Sequence, residues 1–271
     1  MTISISDLDD PRIDVFRDVR DRDLRGRKGV FMAESEMVVR RLLRSPERLH
    51  SVLLSPAKAA RMAGELRHLP DDVTVYVAEL PLMEAIAGFH IHRGVLAAGW
   101  RPHEQDLAFD RMLDRLEPDG TWTVLAAQGI NNADNMGGLF RTAAALGVNE
   151  VLLERGCCDP LYRKAIRVSM GHVLSVPWCV AEDLCEAIGV LQVKGFRITA
   201  AESCQRSTRL GEAVPAARRV VVVGAEGEGL DARVLDACDD VVEIPMAAGV
   251  PSLNVVVAAG IVLERLRPPT A

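Results

Sequence analysis

The sequence predicts an α/β protein of two domains, and three observations carry that prediction. Hydrophobic residues make up 49% of the 271 residues, at a mean hydropathy of +0.11, ample material for buried cores. Short β-branched runs alternate with helical stretches along the whole chain. After residue 120 the alternation becomes regular, with strands set apart by helices of roughly 10–15 residues, the pattern of a parallel sheet.

Residues 1–24 are charged and are expected to open with a helix. Arg25-Gly26-Arg27-Lys28-Gly29 reads as a basic, glycine-punctuated loop, and Val30 to Ala33 as a short strand. A helix over 34–44 follows from the four-residue spacing of Val38/Leu42 and Val39/Leu43. Ser51 to Leu54 is a buried strand, and Val73, Val75 and Val77 alternate with polar neighbours as a half-buried one. Leu80, Met83 and Ala87 line a helix closed by Gly88, and residues 94–99 form another strand. The first domain is set at residues 1–105. Residues 106–120, with Pro118, Gly120 and many charges, read as the linker, although Met112 to Leu116 could form a short helix. The second domain, 121–271, reads as strand 122–127, helix 136–146, strand 150–153, helix 161–170, strand 173–176, helix 182–193 and strand 196–200. Strand 220–223, helix 231–237, strand 241–244 and helix 252–266 complete it.

Composition excludes several classes. The absence of an 18-residue apolar run argues against a membrane span, and the start, with Asp7, Asp9 and Asp10, is unlike a signal peptide. The six cysteines show no CxxC pair, so they read as reduced thiols of a cytoplasmic protein, with no metal site. A net charge of −6 argues against a general nucleic-acid coat. It leaves room for a basic face: from Arg12 to Arg48 eleven basic residues meet seven acidic ones, a local +4. His90, His92 and Arg93 are a further candidate contact for an anionic partner, though surface histidines are usually just solvated.

Three stretches of the second domain carry candidate chemistry. Asn135 opens a helix, where an N-cap is its natural local role. Arg141 sits about 200° round that helix from the core-facing Leu139 and so points to solvent or to a ligand. The run Val220 to Val223 is a buried strand ending in Gly224-Ala225-Glu226-Gly227-Glu228-Gly229. Such a loop at the carboxyl end of a strand is either a tight turn or a ligand cradle. It matches neither the dinucleotide fingerprint nor the P-loop. The third stretch, Ile244-Pro245-Met246-Ala247-Ala248-Gly249-Val250-Pro251-Ser252-Leu253-Asn254, leads from a strand into an apolar helix expected to be buried on most sides. Ser252 is the predicted N-cap, and Asn254, polar in a buried first turn, needs a partner.

In this order and spacing the three stretches resemble the motifs of the SpoU/TrmH branch of the SPOUT RNA methyltransferases: Asn-x5-Arg (Asn135, Arg141), Gly-x-Glu-x-x-Gly (Gly224, Glu226, Gly229) and Ile-Pro-Met-x-x-Gly followed by Ser-Leu-Asn-Val (Ile244 to Gly249, Ser252 to Val255). Arg163 to Gly171 fits the family's intermediate region, and the match spans about 121–266. Residues 25–43 more loosely resemble the opening of a ribosomal-protein-L30e-like substrate-binding domain, with Ser35 where a glycine is usual.

The resemblance implies an α/β fold whose C-terminal part is a deep trefoil knot on a mostly parallel sheet, preceded by a smaller L30e-like domain, in a homodimer. It implies S-adenosylmethionine held at Gly224, Ala225, Glu226, Gly229, Ile244, Met246, Gly249, Ser252, Leu253 and Asn254. The reaction it implies is methyl transfer to a ribose 2′-hydroxyl of rRNA or tRNA. Arg141, Asn135, Glu226, Ser252 and Asn254 would form the catalytic set, with Arg25, Arg27, Lys28, Arg40, Arg41 and Arg141 on the RNA. Arginine is a permanent cation, so Arg141 is assigned to clamp phosphate rather than to act as a base. A non-catalytic RNA- or ribosome-binding protein of the same fold is the alternative, distinguished by loss of methyl transfer with RNA binding kept. A dinucleotide-dependent oxidoreductase is disfavoured by the missing glycine fingerprint.

Overall fold

The computed structural model describes residues 2–17, 29–89, 91, 94–117 and 120–267. Arg25, Arg27, Lys28, His90, His92 and Arg93 therefore lie outside the described residues. The chain forms two compact units: Met1–Pro102 with Pro160–Ser175, and His103–Asp159 with Val176–Ala271.

The first unit holds a mixed five-stranded sheet. Its strands are β1 (Thr2–Ser4), β2 (Val30–Glu34), β3 (Leu49–Leu54), β4 (Thr74–Val77) and β5 (Val95–Trp100), in the order β1-β4-β3-β5-β2. β4 runs parallel to β1 and β3, whereas β5 is antiparallel to β3 and β2. Helices α1 (Glu36–Leu42), α2 (Pro56–Arg61), α3 (Ala63–Leu66) and α4 (Leu80–Ala87) accompany it. Phe31 lies flat across Gly99 of the adjacent strand, where a Cβ would meet its ring at 2.3 Å. The core gathers Ile13, Phe16, Met32, Leu53, Met83, Ile86 and Leu96.

The first unit corrects two expectations. Among the described residues no opening α-helix forms: Thr2–Ser4 pairs as a strand with β4, and Pro11–Phe16 is a 3-10 turn capped by Asp10. The predicted strand over 173–176 is instead a 3-10 turn at His172–Leu174, which belongs to this unit. Gly171, at φ +79°, starts that turn, and its φ > 0 breaks any extended run.

The second unit is built on seven parallel strands: β6 (Trp122–Ala127), β7 (Glu150–Glu154), β8 (Trp178–Ala181), β9 (Arg197–Ala201), β10 (Thr208–Arg209), β11 (Arg218–Val223) and β12 (Asp240–Glu243). Their order is β10-β12-β9-β11-β6-β7-β8. Its helices are α5 (Phe109–Asp114), α6 (Ala133–Ala145), α8 (Leu184–Val193), α9 (Ala232–Ala237) and α10 (Val255–Arg265); α7 (Arg163–Val168) belongs to the first unit. Val220 to Val223 are all buried, as a central strand requires, and pair with Val124 to Ala127 on one side and Ile198 to Ala201 on the other. α5 falls inside the segment read as a linker and buries Met112 completely in this unit's core. Parallel pairing puts the carboxyl ends of β6, β9, β11 and β12 on one edge, where ligands collect in sheets of this kind.

α10 is less buried than its composition predicts: Val257 is 50% and Ile261 40% exposed, four residues apart on one face. The opposite face packs on α6, closely enough that a Cβ on Gly138 would lie 2.6 Å from Val256 Cγ2.

Candidate active site

The loop after β11 needs its glycines for steric reasons. A Cβ on Gly224 would lie 2.5 Å from the carbonyl carbon and oxygen of Gly229, so the loop closes back on its own start. Gly229 itself has φ +69°, and a Cβ there would lie 2.6 Å from Glu202 Oε2. The fold of this loop brings Glu226 to residues of the other two stretches. Asn254 Nδ2 donates to Glu226 Oε1 at 2.6 Å and to Asn135 Oδ1 at 2.9 Å. Asn135 Nδ2 donates to the same Glu226 oxygen at 3.2 Å, as does the backbone N–H of Val255, also at 3.2 Å. One carboxylate oxygen thus joins three segments that lie far apart in sequence.

Asn254 is exposed, not set in a buried first turn, so burial does not demand a partner for it; it bonds Glu226 and Asn135 all the same. Two capping expectations are corrected. The N-cap of α6 is Asn132, whose side chain accepts from the N–H of Asp134 at 2.7 Å, which leaves Asn135 within the first turn and able to bridge. The N-cap of α10 is Asn254, whose Oδ1 accepts from the N–H of Val256 at 3.0 Å. Ser252 stays in the loop before it, because the helix begins only at Val255.

Beside this cluster is a cavity of about 340 Å³. Gly224, Ala225, Glu226, Gly229, Ile244, Met246, Ser252 and Leu253 line it, whereas Asn254, which the resemblance also assigns to the cofactor, does not. Gly249 lies off the lining, in the turn before Pro251, at φ +82°. The remaining wall comes from residues the sequence did not single out, among them Glu202 and Ser203 just after β9 and Glu243 at the end of β12. Its charged groups are the carboxylates of Glu202, Glu226, Glu228 and Glu243, with no Lys, Arg or His among the described residues of the lining.

The loop's far end is fixed by side chains from neighbouring strands. Glu202 Oε2 accepts from the N–H of Leu230 at 3.0 Å, and Gln128 Oε1 accepts from the N–H of Asp231 at 2.9 Å. The Gln128 amide donates to Asp231 Oδ2 at 3.0 Å and to Glu154 Oε1 at 3.1 Å. Gln128 is buried, so this satisfaction of its polar atoms matters. Sequence reading missed these residues; the available signal was polar side chains at the ends of predicted parallel strands.

Arg141 stands on the exposed side of α6 and makes no hydrogen bond or ion pair among the described residues. Arg40 and Arg41 are in the first unit. Arg40 pairs with Glu36 at 3.0 Å and Glu65 at 2.9 Å. Arg41 Nη1 donates to Ser175 Oγ at 3.3 Å, and burial followed by the charge of Arg44 holds its pKa below the usual arginine value. Among the described residues no three His, Cys, Asp or Glu side chains gather as a metal site, and no helix is long and apolar enough to cross a membrane.

Comparisons with known proteins bear on the family of the chain. Residues 123–264 match the SpoU rRNA Methylase family. The chain is 39% identical over 276 residues to a Mycobacterium tuberculosis protein named as an uncharacterized tRNA/rRNA methyltransferase, covering 97% of this chain and 91% of that one. It is 30% identical over 229 residues to the 23S rRNA (guanosine-2′-O-)-methyltransferase RlmB of Escherichia coli K12, covering 82% of this chain and 91% of that one. Its fold is shared with an AdoMet-bound rRNA methyltransferase from Sinorhizobium meliloti, at a TM-score of 0.80 and 19% identity over 98% of this chain and 97% of that one. The motifs, their meeting at one carboxylate and these matches have a single explanation: this chain belongs to the SpoU rRNA methylase family.

Proposed function

We propose that the protein transfers a methyl group from S-adenosylmethionine to a ribose 2′-hydroxyl of rRNA or tRNA. The observation that carries this is the junction of Asn135, Glu226 and Asn254, one residue from each family motif, at the rim of the cavity.

The cavity suits that cofactor. The close approach of Gly224 to Gly229 leaves backbone, not side chain, facing a ligand, and Ile244, Met246 and Leu253 give apolar contact for an adenine. Four carboxylates and no cation among the described lining residues favour a ligand bearing positive charge, as a sulfonium does. Bound there, the cofactor supplies an already electrophilic methyl group. The task left to the chain is alignment of the hydroxyl and neutralisation of nearby phosphate. Asn135 and Asn254, tied to Glu226, orient the reacting ribose, with Ser252 shaping the wall. Arg141 offers two forked donors to the phosphate beside it. Residues 1–105 grip the RNA, by phosphate contacts that position rather than specify, and residues 121–271 carry the chemistry.

Family membership supports reading the second unit as a trefoil knot and the first as L30e-like. The exposed Val257 and Ile261 on α10 support a homodimer through the C-terminal domain. Action on rRNA or tRNA supports a cytoplasmic location. The test is transfer of labelled methyl from S-adenosylmethionine to total RNA from cells lacking the protein, fractionated into tRNA and rRNA. Label resistant to alkaline cleavage in one fraction is expected. Cofactor and RNA binding without label in either would favour the non-catalytic reading.

A further inference from the structure

The first unit carries a cavity of about 580 Å³ whose walls are strongly basic. α1 and the turn after it supply Glu36, Met37, Arg40, Arg41 and Arg44, and α2 supplies Lys58 and Arg61. Positions 37, 40, 41 and 44 follow helical spacing, so they form one face. That face is exposed at Met37, to 52%.

The charges here are arranged, not scattered. The Glu36 carboxylate takes Lys58 Nζ at 2.7 Å, Arg40 Nη1 at 3.0 Å and Arg61 Nε at 3.2 Å. The Lys58 hydrogen bond is the main reason the Glu36 carboxyl titrates below the usual range. Arg40 is also held by Glu65. Arg41 is held by neutral partners, Ser175 Oγ at 3.3 Å and His172 Nε2 at 3.4 Å; since arginine only donates, that imidazole nitrogen is the acceptor. Arg44 is exposed and has no ion pair among the described residues. Five cations therefore share two carboxylates, and the cluster keeps a charge of about +3. Arg40 and Arg41 are occupied in positioning; Arg44, Lys58 and Arg61 are the cations with capacity to spare.

We propose that this cavity docks the phosphodiester backbone of the substrate RNA, with Arg44, Lys58 and Arg61 as phosphate contacts and Glu36 as the internal counter-ion that spaces them. Several cations in one concave site match a polyanion, and the forked guanidinium geometry matches phosphate oxygens. Met37, apolar and exposed among them, offers a surface to a ribose or base face. This inference rests on the RNA methyltransferase reading and adds to it the cavity and the side chains that make the phosphate contacts.

The test is fluorescence anisotropy of a labelled single-stranded oligoribonucleotide against the full chain across a salt series. The Arg44→Ala/Lys58→Ala/Arg61→Ala variant is expected to bind at least tenfold more weakly at low salt. Its slope of log K against log salt should fall by roughly 2, at about 0.7 for each phosphate that is no longer neutralised. Glu36→Gln should tighten binding several-fold by releasing three cations. Arg44→Glu, at an exposed and unpaired position, repeats the test without risk to folding. RNA affinity and slope equal to wild type in the triple variant and in Arg44→Glu overturn the proposal. So does loss of binding to phosphatidylserine vesicles or to polyglutamate while RNA binding is kept. Cofactor affinity, measured by calorimetry, should be unchanged in every variant. A wild-type chain that binds cofactor but methylates no RNA defeats the functional reading itself, which variants with unaltered RNA binding do not.

Discussion

Asn254 donates to Glu226 across 28 residues of chain, at 2.6 Å, while its own side-chain carbonyl oxygen caps the helix that it begins. A side chain doing both tasks ties the start of α10 to the glycine loop. Asn254→Ala should remove both, lowering stability by about 1 kcal/mol through the missing cap and methyl transfer by at least tenfold. Asn254→Asp keeps the cap and sets a carboxylate against Glu226, so it should regain thermal stability but not activity. Recovery of turnover in Asn254→Asp would count against a role in the site.

Arg141 and Gly224 should separate two functions. Arg141→Ala is expected to abolish transfer and leave S-adenosylmethionine affinity within about twofold; Arg141→Lys should remain poor, because a point charge does not replace a fork. Gly224→Val should do the reverse, since its side chain meets the Gly229 backbone: cofactor affinity falls first, and overpacking lowers stability by about 1–3 kcal/mol. Calorimetric titration of cofactor into both variants decides. Loss of cofactor binding in Arg141→Ala would show that Arg141 serves the cofactor side.

Ser35 sits at φ 85°, ψ 148°, a region that only glycine enters freely. It occupies the place where the resemblance to L30e-like domains puts a glycine. Ser35→Gly should therefore raise stability, by about 1–3 kcal/mol, read as a higher Tm with activity unchanged. A lower Tm would mean the hydroxyl has a bond that offsets the strain.

Burial pushes the thiols of Cys157 and Cys158 up to about 11 and that of Cys238 up to about 12, from an ordinary value of 9.0. In the unfolded chain they ionise near 9, so above that pH unfolding releases protons that the folded state retains. Stability is then full below pH 9 and declines as pH rises through the window to about 11–12. Thermal melts at pH 8, 9.5 and 10.5 should show the decline, and a chain with all three replaced by alanine should show less of it. Identical slopes in both proteins would rule these thiols out as its source.

Legibility in the sequence tracked how local each cause is. The valine strand, the Gly88 helix stop and the run 122–127 follow from side chains a few residues apart, and they stand where the periodicity put them. The strand misplaced at 173–176 is apolar at three of its four positions, but Pro177 lacks an N–H and the strand begins only at Trp178. α2 and α3 escaped notice because neither buries more than Met62 between them. In the site, Asn254 was singled out by its place at the start of an apolar helix, but for a burial that it does not have. Its bond to Glu226 was not readable, nor was the Gln128 clamp, since both depend on which strands the topology sets side by side.

The cavity also has a date in the life of each molecule. One wall is the loop on β11, and another, from Val242 to Ala258, is made much later in the chain. A nascent polypeptide with every residue through the glycine loop already synthesised has half a pocket and an unmet Glu226. The cavity therefore has both walls only once the chain through Ala258 has been made and folded.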